Sequence, residues 1–159
     1  MNFFEDTKLG ERHTLGSFTF TPEAIKAFAR AFDPQAFHLD EEAGRQSLFG
    51  GLAASGWHTA SVYMKLLVAH LKRLAEAAEA RGEQVAESGP SPGFKNLKWP
   101  RPVLAGDTIT YTYEATAMRP LASRPGFGLV SGTTTAVNQR GEMVLFFENA
   151  VFLPRRSDA

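Results

Sequence analysis

Nothing interrupts the chain between Trp57 and Arg81: the segment holds neither proline nor glycine, and at 1.5 Å per residue it predicts a helix roughly 37 Å long. Its two halves differ. From Trp57 to Ala69 the one formal charge is Lys65, and Tyr63, Met64, Leu66, Leu67 and Val68 surround the axis. This half is expected to be buried on nearly every side, with Met64 in ordinary core packing. Beyond His70, the charges Lys72, Arg73, Glu76, Glu79 and Arg81 alternate with Leu71, Leu74 and Ala75, as in a half-wet helix that stops at Gly82.

The cover for such a helix comes from strand-like sequence. Ile109, Tyr111, Tyr113, Ala115 and Ala117 alternate with Thr108, Thr110, Thr112, Glu114 and Thr116, a period of two that gives one apolar and one polar face. Phe127 to Val137 and Met143 to Leu153 are further β-rich runs, joined by a hairpin turn at Asn138-Gln139-Arg140-Gly141. His13 to Phe20 and Phe94 to Trp99 complete four or five strands. The expectation is an α+β fold, an antiparallel sheet curled around one long central helix. At 159 residues, with 43% hydrophobic and 21% charged residues, the chain reads as one domain over 1–159, its core from about 11 to 153. Glu87 to Gly93 and Arg119 to Gly126 read as connectors, and Arg155 to Ala159 as a frayed tail.

A second helix starts at Thr21-Pro22-Glu23, where a hydroxyl cap, a proline and an acid stand in the order a helix N-terminus favours. Pro34 ends it, placing Asp33 at the helix end. Gln35 to His38 has no clear period, and Asp40-Glu41-Glu42 opens a short helix.

Three segments carry the candidate chemistry: Asp33-Pro34-Gln35-Ala36-Phe37-His38, Phe49-Gly50-Gly51-Leu52-Ala53-Ala54-Ser55-Gly56-Trp57-His58, and Arg101-Pro102-Val103-Leu104-Ala105-Gly106-Asp107. With Asn138 to Glu142 they resemble, in that order and over most of the chain, the MaoC-like dehydratase family, whose founding activity is (R)-specific enoyl-CoA hydration on a hot-dog fold. The resemblance implies a hydratase or dehydratase acting on an acyl-CoA or acyl-carrier thioester, with coenzyme A as part of the substrate and no further cofactor or metal. It implies Asp33 and His38, five positions apart, as the acid/base pair, and Gly56 as a main-chain donor to the thioester oxygen. Phe37, Ser55 and Trp57 are substrate-pocket candidates.

Those residue types suit the reaction. Water adds to the β-carbon of an α,β-unsaturated thioester when a base takes its proton, the α-carbon receives one, and the enolate oxygen between them is stabilised. Imidazole titrates near neutrality and a carboxylate can orient it or share the water. A backbone N–H at the start of a helix, with the helix dipole behind it, suits the oxygen. Taken alone, Asp33 is a helix-end residue, His38 a loop histidine and Gly56 a tight turn. The chain departs from the family pattern at Phe32, Gln35, Ala36 and Met64, which bears on substrate identity. Two alternatives share the fold: an acyl-CoA thioesterase, disfavoured because no acid lies between Trp57 and Glu76, and a non-catalytic thioester-binding module. Ser55, Asp40 and His58 lack the surroundings of a hydrolase triad, and His58 is expected to be buried and hydrogen-bonded.

Composition limits the partners. Lys plus Arg and Asp plus Glu stand at 17 each, so no net field gathers nucleic acid or an anionic membrane. Cysteine is absent, and neither a secretion signal nor an apolar run of about 20 residues is present. A cytoplasmic protein is expected. A curled sheet with a free edge predicts a homodimer or higher homo-oligomer. Lys98, Arg101, Arg119 and Arg124 are available to coenzyme A phosphates.

Overall fold

A computed structural model describes residues 3–87 and 89–156. Five strands, β1 (Arg12–Thr19), β2 (Gly93–Lys98), β3 (Thr108–Pro120), β4 (Phe127–Val137) and β5 (Met143–Pro154), form one antiparallel sheet in the order β1-β3-β4-β5-β2. Four helices, α1 (Pro22–Phe32), α2 (Ala36–Leu39), α3 (Glu41–Gln46) and α4 (Gly56–Ala80), lie between β1 and β2 in the chain. Period-two patterning decides which sheet face meets α4: along β4 the buried residues are Gly128, Val130, Gly132, Thr134 and Ala136. Leu15, Phe20, Ile25, Ile109, Tyr111, Val144 and Leu145 pack with Val62 and Tyr63 of α4. The buried Tyr111 hydroxyl donates to the Thr59 carbonyl at 3.0 Å, tying the central sheet to the first turn of the helix. This is the hot-dog fold, the expected sheet curled around one long helix.

Local expectations meet the structure unevenly. Thr21 caps α1 by accepting from the Ala24 N–H, and Asp33 is its C-terminal cap. Asn138 and Glu142 close the β4–β5 hairpin. The segment before His38, which has no period in sequence, forms the single helical turn α2. β3 runs on to Pro120, shortening the Arg119 to Gly126 connector. Of the tail, Arg155 and Arg156 are held: they pair with Glu5 and Asp6 at 3.1 and 2.7 Å, while 157–159 lie outside the described residues.

The larger correction concerns α4. Trp57, Met64 and Val68 are 53, 52 and 57% exposed, so its first half is not enclosed on all sides, and Met64 is not a core residue. His58, Thr59, Val62 and Tyr63 form its buried face. One sheet covers one side of a helix; an apolar residue on the opposite side stays uncovered in a single chain. Among the described residues no helix is long and apolar enough to cross a membrane.

Candidate active site

The segment leading into α4 is stitched to two neighbours. The Ala53 N–H donates to the Phe37 carbonyl, the Ala54 N–H to Val103, and the Ala105 N–H to Leu52. The 103–105 segment is fixed in turn by Asp107, whose Oδ2 accepts from the Leu104 N–H at 2.9 Å and whose Oδ1 accepts from Gln139 Nε2 at 2.8 Å. The sequence motifs around Arg101 and Asn138 therefore lock to each other and hold the chain that carries the site.

On that frame Asp33, His38, Ser55 and Gly56 come together around one cavity of about 370 Å³, also lined by Phe37, Trp57, Trp99 and Arg101. His38 is buried, and its Nδ1 lies 2.7 Å from the Ala53 carbonyl oxygen. A carbonyl only accepts, so Nδ1 carries a proton, and Nε2 is the ring nitrogen left for the cavity. That Nε2 faces Asp33 Oδ2 at 3.4 Å, outside good hydrogen-bond range. Phe37 packs edge-on against the His38 ring at 4.5 Å.

Asp33 is held as a carboxylate. Ser55 Oγ donates to its Oδ2 at 2.7 Å and Gln35 Nε2 to its Oδ1 at 2.8 Å. Burial alone would raise the Asp33 carboxyl, but the Ser55 and Gln35 hydrogen bonds and the neighbouring His38 outweigh it and keep it below the usual range. Ser55 also accepts from the Trp57 N–H at 3.2 Å, so the α4 cap and the carboxylate's anchor are one side chain. Sequence reading placed Ser55 only as a pocket residue and treated Gln35 only as a departure; a serine directly before a helical glycine was the available signal for the cap. Nothing local pointed to the Ala53 carbonyl or to Trp99.

Gly56 is the first residue of α4, and its N–H finds no acceptor among the described residues. A Cβ there would lie 2.6 Å from the Trp99 indole, so the glycine is also required for close packing. Trp99 meets Trp57 edge-to-face at 5.4 Å. Trp57 lines both this cavity and a larger one of about 860 Å³ between α4 and the sheet, where Met64 also lies. Arg101 pairs with Glu142 at 3.6 Å; Lys98, Arg119 and Arg124 line neither cavity.

His58 stands apart from this group. It is buried as expected, stacked on Phe28 with ring centroids 4.6 Å apart and edge-on to Phe20, but its Nδ1 has no hydrogen-bond partner among the described residues. Asp40 instead caps α3. Burial pushes the His58 imidazole down from 6.5 to about 4. The folded state then refuses a proton that the unfolded chain accepts below about pH 6.5, so its contribution is full above that pH and is lost as pH falls towards 4. Thermal unfolding scans from pH 7 to 4.5 should show the wild type losing a few degrees more than His58→Leu, the scale set by about 1 kcal/mol in a chain of this size. Parallel pH curves would show that His58 does not carry the effect.

A sheet curled about a long helix defines the class, a hot-dog protein, here with a histidine, a carboxylate and a helix N-terminus on one cavity. The MaoC-like domain model matches residues 6–137, and the chain belongs to that family. It is similar to the MaoC-like dehydratase structure from Rhodospirillum rubrum, at 39% identity over 99% of both chains with a TM-score of 0.81. The (R)-hydratase from A. caviae involved in PHA biosynthesis shares the fold at 24% identity, over 94% of this chain and 99% of that one, with a TM-score of 0.66. An uncharacterised Bacillus subtilis protein, YdeM, is 33% identical over 64 residues, which span 40% of this chain and 45% of that relative.

Proposed function

We propose that this protein adds water to, or removes it from, an acyl thioester of the 2-enoyl/3-hydroxyacyl type, with Asp33 and His38 as the acid/base pair. The observation that carries the reading is the pairing of the His38 Nε2 and the Asp33 carboxylate 3.4 Å apart on the cavity that the α4 N-terminus also faces. A water between Nε2 and Oδ2 gives up one proton to the pair as its oxygen bonds to C3, and the pair returns a proton to C2. The Gly56 N–H and the α4 dipole stabilise the enolate oxygen formed in between. In the reverse direction the same groups remove the C2 proton and protonate the departing hydroxyl.

Arg101, at the cavity wall and half-solvated, suits the phosphates of coenzyme A or of a carrier-bound pantetheine. The larger cavity beyond Trp57 suits the acyl chain. Among the described residues β2 pairs with β5 on one side and with nothing on the other, beside the exposed Trp57, Met64, Val68, Phe94 and Trp99; a second copy covering that edge and face makes the protein a homodimer or higher homo-oligomer.

The test is hydration of crotonyl-CoA and longer 2-enoyl-CoA thioesters, followed by loss of enoyl ultraviolet absorbance with free thiol measured in parallel. Absorbance loss without thiol is the expected result. Thiol release without absorbance loss would assign hydrolysis instead, and binding without either change would assign a thioester-binding module.

A further inference from the structure

The two cavities lie end to end along the same pair of elements. On α4, Gly56, Trp57 and Thr59 border the smaller one, and Trp57, Ala60, Met64, Leu67 and Leu74 border the larger. On β5, Val144 belongs to the smaller, and Phe147, Asn149 and Val151 to the larger. Helix and strand therefore pass from the cavity that holds Asp33 and His38 into the large one in the same order. Among the described residues a single side chain stands on both walls, that of Trp57.

An acyl chain whose C2 and C3 lie against Asp33 and His38 has few ways out of the smaller cavity. Core residues close its floor: Ala54, Val103 and Val144 are 7, 3 and 0% exposed. Phe37 and Phe49 pack against the His38 ring and close the side beyond it. The half-solvated Arg101 side suits the carrier arm of the thioester. The direction that remains runs along α4, where the Trp57 indole stands. Behind it the lining is mainly apolar, with Leu67, Leu71 and Phe147, broken by Tyr63, Tyr113 and Asn149. From Ala60 to Leu74 this space follows α4 for about 21 Å at helical rise. A short acyl group never reaches it, whereas a long one fills it, and each methylene buried there adds to affinity.

The indole is not locked in the core. It is 53% exposed, and its aromatic contact is the edge-to-face pairing with Trp99 at 5.4 Å. Displacing the ring gives up that pairing, and methylenes buried behind it offset the loss. The cost falls once, on chains that pass the ring, and is never met by chains that stop short of it. A wall of this kind discriminates by length. A second copy lying on this face would leave the ring less room and raise the cost.

We propose that the Trp57 indole is a gate between the two cavities that sets acyl-chain length: short chains are held in the smaller cavity alone, and long chains enter the larger one only by displacing the ring. The inference rests on the thioester reading above and is tested apart from its chemistry. Butyryl-CoA and decanoyl-CoA, which are saturated and cannot be hydrated, are titrated calorimetrically into the wild type, Trp57→Ala and Trp57→Phe. The residue is half-exposed, so neither substitution opens the core. The ratio of decanoyl to butyryl affinity is expected to rise about 10-fold in Trp57→Ala, the scale of one aromatic pairing that no longer has to be given up. It should rise by less in Trp57→Phe, which keeps a smaller ring in the wall. Met64→Ala is the contrast: Met64 borders the larger cavity alone, so its truncation removes contacts from a chain already past the gate and should not raise the ratio. A ratio unchanged in both Trp57 variants, or raised as much by Met64→Ala, overturns the proposal, and so does failure of both thioesters to bind. Normal crotonyl-CoA hydration beside an unchanged ratio would leave the proposed reaction standing without the gate. A shifted ratio without any hydration would keep the gate and remove the reaction.

Discussion

Asp33→Asn and His38→Ala are each expected to lower hydration of 2-enoyl-CoA by about 10²- to 10⁴-fold, the range over which a positioned acid or base acts. Asparagine nearly reproduces the shape of aspartate and still offers an oxygen to the Ser55 hydroxyl, but it has no carboxylate to share a proton with water. Asp33 is partly exposed, 20% at the side chain, so folding should be little disturbed and unfolding scans should separate the two effects. His38→Ala is harsher. It removes the imidazole Nε2 and also strips the buried Ala53 carbonyl of its donor, which costs about 1–3 kcal/mol. His38→Gln, able to donate to the same carbonyl without an imidazole's proton affinity, should recover stability while leaving turnover low. Because Ser55 and Gln35 keep the Asp33 carboxyl below its ordinary range, Asp33 stays ionised above that lowered value, and protonation of this group limits the wild type only in strongly acidic solution. Turnover of Asp33→Asn or His38→Ala within twofold of wild type would remove the pair from the mechanism.

The largest expected loss of stability from a single methyl group is at Gly44. A Cβ there would lie 2.6 Å from the Gly51 carbonyl oxygen and 2.7 Å from the Leu52 nitrogen, and both are backbone. Alanine favours a helix over glycine by up to about 1 kcal/mol, but α3 is only six residues long and the gain is small beside the collision. Overpacking that no side-chain rotation relieves lies at the upper end of about 1–3 kcal/mol. Gly44→Ala should therefore lower the midpoint of thermal unfolding by about 4–8 °C. The same shift pushes on the 51–54 segment whose Ala53 carbonyl orients His38, so activity should fall too. Gly56→Ala makes an equally short contact, yet with the 40% exposed Trp99 indole, which can swing outward; its effect should fall on the site more than on folding. Arg45→Ala, on the exposed side of α3, is the control and should stay within about 0.5 kcal/mol. An unchanged unfolding midpoint in Gly44→Ala would show that α3 is not held against the 51–52 backbone.

Much of the architecture was legible because the signals were local. The uninterrupted run into Arg81, the Thr21-Pro22-Glu23 start, the Pro34 stop and the period-two strands each reflect steric and hydrogen-bonding preferences acting over a few residues. Asp33 at a helix end and His38 five positions later were visible on the same scale. Their partners were not: the Ser55 hydroxyl that holds Asp33 is 22 residues away, and the Ala53 carbonyl that orients the His38 ring is 15 away.

From its sequence alone this protein is committed to one long helix, a set of alternating strands and a loop bearing an aspartate and a histidine, since each depends on neighbours along the chain. Tertiary packing decided which side of α4 is covered, which carbonyl faces His38, and that Tyr63, Tyr113 and Asn149 share one cavity. Apolar residues surround the first half of α4 in sequence, but a single sheet covers only one side of it. Groups from α4, β3 and β5 meet only because strand register and close packing leave them no other arrangement.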